Sequence, residues 1–256
     1  MMRPWLGVVA GAILLAAALI IEAPASLLDR RVADLTDGRV RITAATGTVW
    51  RGAGELVLLP DDVRVPIAWR LEPMPLLRGG LAGSLTAADA NRRATFAVEQ
   101  ENFIVHDFTI ALPAASVLRT AGIPDALTNA AGTLTLDAAD LARRGDRLEA
   151  RANLLWTDAA LSAPVTGARI ALGDVRVAAA GSGSEIPATL SNSGGEVDIA
   201  GSLLFSARGT AQIDARIKPR PGLPADRNEA IAAALSNIGR ADGAGGYRVV
   251  WPLALR

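Results

Sequence analysis

The chain of 256 residues contains no cysteine, a single histidine and few aromatic side chains, which make up 4% of it. Without cysteine, disulfides and thiolate metal sites are excluded. The charges show no excess of either sign, because 26 basic and 26 acidic residues are interspersed along the chain. No electrostatic field therefore favours a polyanion, and nucleic acid is not expected as a partner. Stability must come from apolar burial and backbone hydrogen bonding.

One long apolar run is present near the N-terminus. Trp5 to Ile21 contains no charged side chain and is flanked by Arg3 and Glu22. A helix rises about 1.5 Å per residue, so the run with its flanks just crosses a hydrocarbon core of roughly 30 Å. Positive charge marks the cytoplasmic flank, so Arg3 places the following chain outside the cytoplasm. We predict that residues 1–22 form a membrane anchor.

A cleaved signal peptide is the alternative for this segment. Ala23-Pro24-Ala25 has the small-x-small spacing that a signal peptidase requires. The proline in that site and the length of the apolar run favour retention of the segment. Both alternatives remain open at this point.

The rest of the chain shows apolar residues at alternate positions, which is typical of β-strands with one buried face. The clearest runs are Val63 to Leu71 and Leu148 to Trp156, and Thr48 to Leu59 is also predicted as strand. Further runs are Val40 to Ala44, Phe103 to Leu112, Gly132 to Asp137, Ala168 to Ala178, Gly195 to Phe205, Gly209 to Lys218 and Tyr247 to Leu255. We predict a mainly β fold, in which a single transmembrane helix precedes a large curved antiparallel sheet, open or barrel-like.

Three short helices are predicted between the strands. The first lies within residues 23–38, with Ser26 as its N-cap and Gly38 at its end. The others are Ala114 to Ala121 and Arg227 to Ile238.

The predicted domain organisation has one β-rich domain over residues 39–256. A weak subdivision is predicted near 122–132. The proline-rich segment 219–226 is the best candidate for a linker.

Residues with catalytic chemistry are scarce. His106 and Asp107 are adjacent in a predicted strand, so their side chains point to opposite faces and cannot pair with each other. The chain has no G-x-S-x-G motif, and Asp61-Asp62 or Asp137 with Asp140 supply too few ligands for calcium. We predict no enzyme, no catalytic residue, no cofactor and no metal site.

Two glycine clusters resemble phosphate loops only superficially. Gly194-Gly195 and Gly243-Gly245-Gly246 lack both the lysine and the strand-to-helix context of such loops. We predict tight hairpin turns at both clusters.

Two motifs combine tryptophan with glycine, proline and leucine. The first is G-T-V-W-x-G, and the second is W-x-L-x-P followed by L-L-x-G-x-L. Their residues are Gly47, Thr48, Val49, Trp50, Gly52, Trp69, Leu71, Pro73, Leu76, Leu77, Gly79 and Leu81. A tryptophan beside glycines is usually a core residue against which bare backbone packs. A docking surface is the functional alternative.

The anchor, the first helix, these motifs and the late Gly246-Tyr247 together resemble protein N of the bacterial type II secretion system. The resemblance implies a single-pass inner-membrane protein with its bulk in the periplasm. It implies an accessory structural component that supports secretion across the outer membrane, with other subunits of the system as partners. It carries over no catalytic residue.

That family is in turn similar to AsmA-like proteins, which suggests a second function. A lipid-binding or lipid-transfer protein would hold acyl chains on the dry face of the sheet. The residues that would line this face are Val65, Ile67, Trp69, Leu154 and Trp156. Lipid therefore stays open as a possible partner.

Overall fold

The computed structural model of the chain describes residues 22–87, 93–99, 102–120, 129–162 and 169–254. Within these ranges no helix has the length and apolar character needed to cross a bilayer. The predicted anchor over Trp5 to Ile21 lies outside them and stays a prediction.

The chain divides into two compact units, Met1–Arg93 and Ala94–Arg256. The predicted subdivision near 122–132 falls largely on residues 121–128, which are outside the described ranges. It stays a prediction, as does the linker at 219–226.

The described part of the first unit consists of a helix followed by a four-stranded antiparallel meander. Its elements are α1 (Ser26–Leu35), β1 (Val40–Gly47), β2 (Arg51–Leu58), β3 (Val63–Glu72), a 3-10 helix (Met74–Arg78) and β4 (Gly80–Ala87). Each strand pairs with the next along the chain. The meander confirms the antiparallel prediction for this part.

Two local predictions for the first unit are wrong. Ser26 is the first helical residue and not the cap, because Ala25 occupies the N-cap position without a side-chain hydrogen bond. Thr48 to Trp50 are a turn and not a strand. The chain reverses here because Gly47 has a φ of 87°, a left-handed conformation that glycine adopts without steric cost.

The core of the first unit follows the predicted alternation. In β3, Ile67, Trp69 and Leu71 are buried, while Arg70 and Glu72 on the opposite face are exposed. An antiparallel sheet with one dry face produces this pattern.

In its described residues the second unit contains ten strands and two helices. They are β5 (Arg93–Glu99), β6 (Asn102–Pro113), α2 (Ala114–Thr120), β7 (Ala130–Arg144), β8 (Arg147–Ser162), β9 (Arg169–Gly183), β10 (Glu185–Ser193), β11 (Val197–Ser206), β12 (Thr210–Pro219), α3 (Ala225–Ser236), β13 (Arg240–Ala241) and β14 (Tyr247–Ala254). β14 pairs with β12, and the two-residue β13 lies outside β14. In the described residues β13 ends the strand order, so the sheet is open and not closed.

Helix α3 covers part of the sheet in the second unit. Its Ile231 and Leu235 are buried against Val197 and Ile199 of β11 and against Leu172 of β9. Ile231 and Val197 have no exposed surface. Apolar burial therefore fixes α3 on this face.

A bidentate ion pair joins α3 to the sheet at the edge of that core. The Arg227 guanidinium donates to both carboxylate oxygens of Glu196, and its Nη2 also donates to the carbonyl of Arg169. The same carboxylate accepts the backbone N–H of Ala171 at 2.9 Å. The hydrogen bonds from Arg227 hold the pKa of Glu196 below its usual range.

We expect this pair to make stability depend on pH. Because the folded-state pKa of Glu196 is lowered, its contribution is complete above the ordinary glutamate pKa of about 4.3. That contribution is lost as the pH falls through the lowered folded-state pKa. Glu196→Gln should therefore cost about 1.5–3 kcal/mol at neutral pH and progressively less in acid. Urea unfolding of the full chain in detergent, compared with wild type across acid pH, measures the difference.

The control for this experiment is Glu229→Gln, on the exposed side of the same helix. It should change stability by under about 0.5 kcal/mol at any pH. If Glu196→Gln lowered the free energy of unfolding by the same amount in acid as at neutral pH, the ion pair would contribute no pH dependence.

The two glycine clusters form hairpin turns, as predicted. Gly194 and Gly195 join β10 to β11 with φ values of 72° and 77°, and Gly243 and Gly245 join β13 to β14. A Cβ on Gly195 would lie 2.5 Å from the backbone nitrogen of Gly173, so no side chain fits there.

Candidate functional site

The first motif forms the turn between β1 and β2. The backbone N–H of Thr48 donates to the carbonyl of Arg51 at 2.9 Å, and the Thr48 hydroxyl accepts the N–H of Arg51 at 3.2 Å. A Cβ on Gly47 would lie 2.5 Å from the Arg51 carbonyl oxygen. The two hydrogen bonds between Thr48 and Arg51, together with the close approach of Gly47 to Arg51, make this turn tight.

Trp69 fixes this turn to the core. Its indole Nε1 donates to the backbone carbonyls of Val49 at 3.1 Å and Thr48 at 3.3 Å. Gly52 lies directly opposite Trp69 in the strand register, and a Cβ there would be 2.4 Å from Cζ2 of the ring. The ring therefore packs on bare backbone, which supports the core interpretation of Trp69 over a docking role.

The turn also holds the segment that follows the predicted anchor. The N–H of Val49 donates to the carbonyl of Ala23 at 2.8 Å, and the N–H of Ala25 donates to the carbonyl of Gly47 at 3.2 Å. Pro24 and Thr48 form an isolated antiparallel bridge. The motif thus attaches the start of the described chain to the sheet.

The second motif forms the connection from β3 to β4 at the same end of the sheet. The N–H of Leu71 donates to the carbonyl of Trp50 at 2.7 Å, which joins the two motifs. Pro73 then caps the 3-10 helix that contains Leu76 and Leu77, and Gly79 ends it in the left-handed conformation. Leu81 of β4 is half-buried.

Helix α1 covers the outer edge of β1. The outward N–H of Ile42 donates to Asp29 Oδ1 at 2.8 Å, and the N–H of Val40 donates to the Thr36 hydroxyl at 3.1 Å. The guanidinium of Arg41 forms a bidentate pair with Asp29 and lowers its pKa. With residues 23–25 on Gly47 and Val49, this edge is closed to further strand pairing.

His106 has a partner that the sequence did not reveal. Its Nδ1 lies 2.8 Å from Asp140 Oδ1, because the β6–β7 register places the two residues opposite each other. Asp140 also pairs with Arg151 at 3.2 Å, and the His106 side chain is half-exposed. No sequence signal links residues so far apart. The arrangement is a solvated cross-strand pair, and the described residues contain no group of three His, Asp or Glu side chains able to hold a metal.

The described residues define a mainly β protein with an open antiparallel sheet, in which Gly47, Thr48 and Trp69 form and fix the turn between β1 and β2. The chain belongs to the type II secretion system protein N family, whose model matches residues 38–250. This confirms the resemblance, and both motifs lie inside the matched range. No curated protein and no solved structure matches the chain significantly.

Family membership gives the protein an accessory role in type II secretion and a location in the bacterial envelope. It also gives the other subunits of that system as partners. The family is not a known class of enzyme.

Proposed function

We propose that the protein is an inner-membrane-anchored structural component of the type II secretion system, with its bulk in the periplasm. The observation that carries this proposal is the family match over residues 38–250. The apolar run Trp5 to Ile21 supplies the anchor in this proposal. Arg3 before the run sets the orientation.

Residues 23–25 connect the proposed anchor to the folded first unit. Ala23 and Ala25 are hydrogen-bonded to the β1–β2 turn, and Ala25 is 2% exposed. Only Glu22 separates Ala23 from the end of the apolar run. In this proposal the anchor passes directly into the folded unit without a flexible linker, so movement in the membrane is transmitted to the sheet.

Other subunits are proposed to bind at the outer edge of β14. β13 pairs only with Tyr247 and Arg248, so the described residues leave Val249 to Ala254 without a partner on that side. Val250 is 52% exposed. Pro252 has no N–H to donate, which limits strand addition to a short segment.

A cross-linking experiment tests this edge. A photo-reactive phenylalanine analogue at Val250 should cross-link to a secretion subunit in native membranes. The matched control is Leu204, which is 38% exposed and lies on β11 inside the sheet. Equal cross-linking from both positions would contradict a role for the edge.

A secretion assay tests the function itself. Cells lacking the protein should accumulate folded secretion substrates in the periplasm, and the full chain should restore their release. In the complemented cells, alkaline carbonate should leave the protein in the membrane, and protease added to spheroplasts should digest it. Normal secretion without the protein would contradict the secretion role, whereas release by carbonate would contradict only the anchor.

The AsmA-like lipid-binding function is less well supported. Ile67 and Trp69 are buried. Trp156 packs against the core under α3, and its Nε1 donates to the carbonyl of Ala131 at 2.8 Å. Three of the five residues expected to hold acyl chains, Ile67, Trp69 and Trp156, are therefore packed against protein.

A further inference from the structure

Both motif turns lie at one end of the first unit, which we call the motif end: residues 48–51 and 70–79. The strand pairing of Arg51 with Arg70 and the hydrogen bond from Leu71 to Trp50 bring the two turns together. The segment 23–25 is bonded to the same end. The chain coming from the predicted anchor therefore enters the unit here and not at the opposite end.

Chain length then limits how far the motif end can be from the membrane. Ala23 accepts a hydrogen bond from Val49, and Glu22 is the single residue between Ala23 and Ile21. An extended residue spans at most about 3.6 Å. If the apolar run is embedded, as the proposed function requires, the motif end lies against the bilayer surface.

The motif end exposes apolar side chains. Met74 is 72% exposed and Leu76 is 46% exposed, and both belong to the 3-10 helix between β3 and β4. Apolar side chains on a short turn are suited to insertion into the interfacial layer of a membrane.

The motif end also carries an excess of positive charge. Arg51 and Arg70 are exposed and directly opposite each other, an arrangement that is destabilising for like charges. Arg78 adds a third positive charge. The same end carries two carboxylates, those of Glu72 on β3 and Glu22 beside the apolar run, so the arginines outnumber the acids. Within the described residues none of the three arginines has an acidic partner.

Two arginines elsewhere in the first unit are paired with acids. Arg41 pairs with Asp29, and Arg64 pairs with Asp62 at the opposite end of the meander. Unlike these two, the three arginines of the motif end have charges that are available to an external anion.

We propose that the motif end is a membrane-contact surface for anionic phospholipid. Arg51, Arg70 and Arg78 face the phosphate groups, and Met74 and Leu76 enter the interface between headgroups and acyl chains. The inference rests on the anchor of the proposed function and adds to it a lipid surface as the partner of the family motif.

Fluorescence quenching in bilayer nanodiscs tests this contact. The chain contains no cysteine, so Met74→Cys in the full protein can be labelled at one position with a fluorophore. In nanodiscs containing phosphatidylglycerol and a quencher on the lipid headgroup, this label should be strongly quenched.

The matched control is Leu35→Cys. Leu35 is 84% exposed and lies at the end of α1 where Thr36 bonds to Val40, at the opposite end of the meander. Its label should show several-fold weaker quenching. Equal quenching of both labels, or none at Met74, in protein that stays with the nanodisc would overturn the membrane contact and leave the anchor intact. Protein that separates from the nanodisc would overturn the anchor and this inference with it.

A second experiment removes positive charge from the motif end. Each arginine near an anionic surface changes the equilibrium constant of the contact by about fivefold. Arg51→Gln with Arg70→Gln should therefore reduce quenching of the Met74 label, as should nanodiscs of phosphatidylcholine alone. Arg64→Gln should have no such effect. Quenching that is unchanged by the double substitution and by neutral lipid would overturn the recognition of anionic headgroups.

Discussion

Replacing Trp69 with alanine should lower the free energy of unfolding by about 3–5 kcal/mol, the usual cost of removing a large aromatic side chain from a core. The side chain is buried, and its ring packs on the bare backbone of Gly52. The substitution also removes the donor that satisfies the carbonyls of Thr48 and Val49. Urea unfolding of the full chain in detergent, followed by far-ultraviolet circular dichroism, measures the loss.

Two variants serve as controls for Trp69. Trp69→Phe keeps an aromatic ring but loses both hydrogen bonds, so it should cost less, about 1–2 kcal/mol. Trp50→Ala should also cost less than Trp69→Ala, because Trp50 is half-buried and its bond to Leu71 uses the backbone carbonyl. A loss below about 0.5 kcal/mol for Trp69→Ala would contradict its place in the core. Unchanged stability together with lost assembly would assign Trp69 to docking.

Replacing Ile231 with alanine should cost about 2–5 kcal/mol, since the removed atoms come from a fully enclosed site. Ile231 has no exposed surface and holds α3 on β9 and β11. The cavity left by the removed atoms should lower the local stability of α3 more than that of the sheet. Amide exchange in α3 should therefore accelerate more than exchange in β11.

Ile238→Ala is the matched control for this prediction. Ile238 follows α3 and is 37% exposed, so the same chemical change should cost much less there. Equal losses at Ile231 and Ile238 would show that α3 is not fixed by the buried isoleucine.

Local patterns predicted the parts of the fold that depend on neighbouring residues. Alternation in Val63 to Leu71 identified the buried face of β3, and the glycine clusters identified two hairpin turns. Three helices were predicted within a few residues of their positions. β10 was missed because its sequence, Glu185 to Ser193, is largely polar and contains a proline.

Other features depend on tertiary contacts and gave no sequence signal. Ala44 and Asp158 have positive φ and lie where the strand register shifts, although neither is a glycine. The carboxylate of Asp29 closes the edge of β1 through the N–H of Ile42. Such a bond between a helix and a strand edge depends on how α1 packs, which periodicity does not specify.

The candidate site was found in the sequence as a motif, and its role became clear only in the structure. The spacing of Gly47, Trp50 and Trp69 indicated tryptophan packing on glycine. It did not indicate that the turn also binds Ala23 and Ala25, since those residues carry no distinctive side chain.

Affinity purification of the full-length protein from its native membrane in mild detergent tests the central claim most directly, with mass spectrometry of both proteins and lipids. We expect other type II secretion subunits to co-purify, without a stoichiometric phospholipid held in the sheet. Stoichiometric phospholipid in the absence of those subunits would contradict the structural role and favour a lipid-binding function.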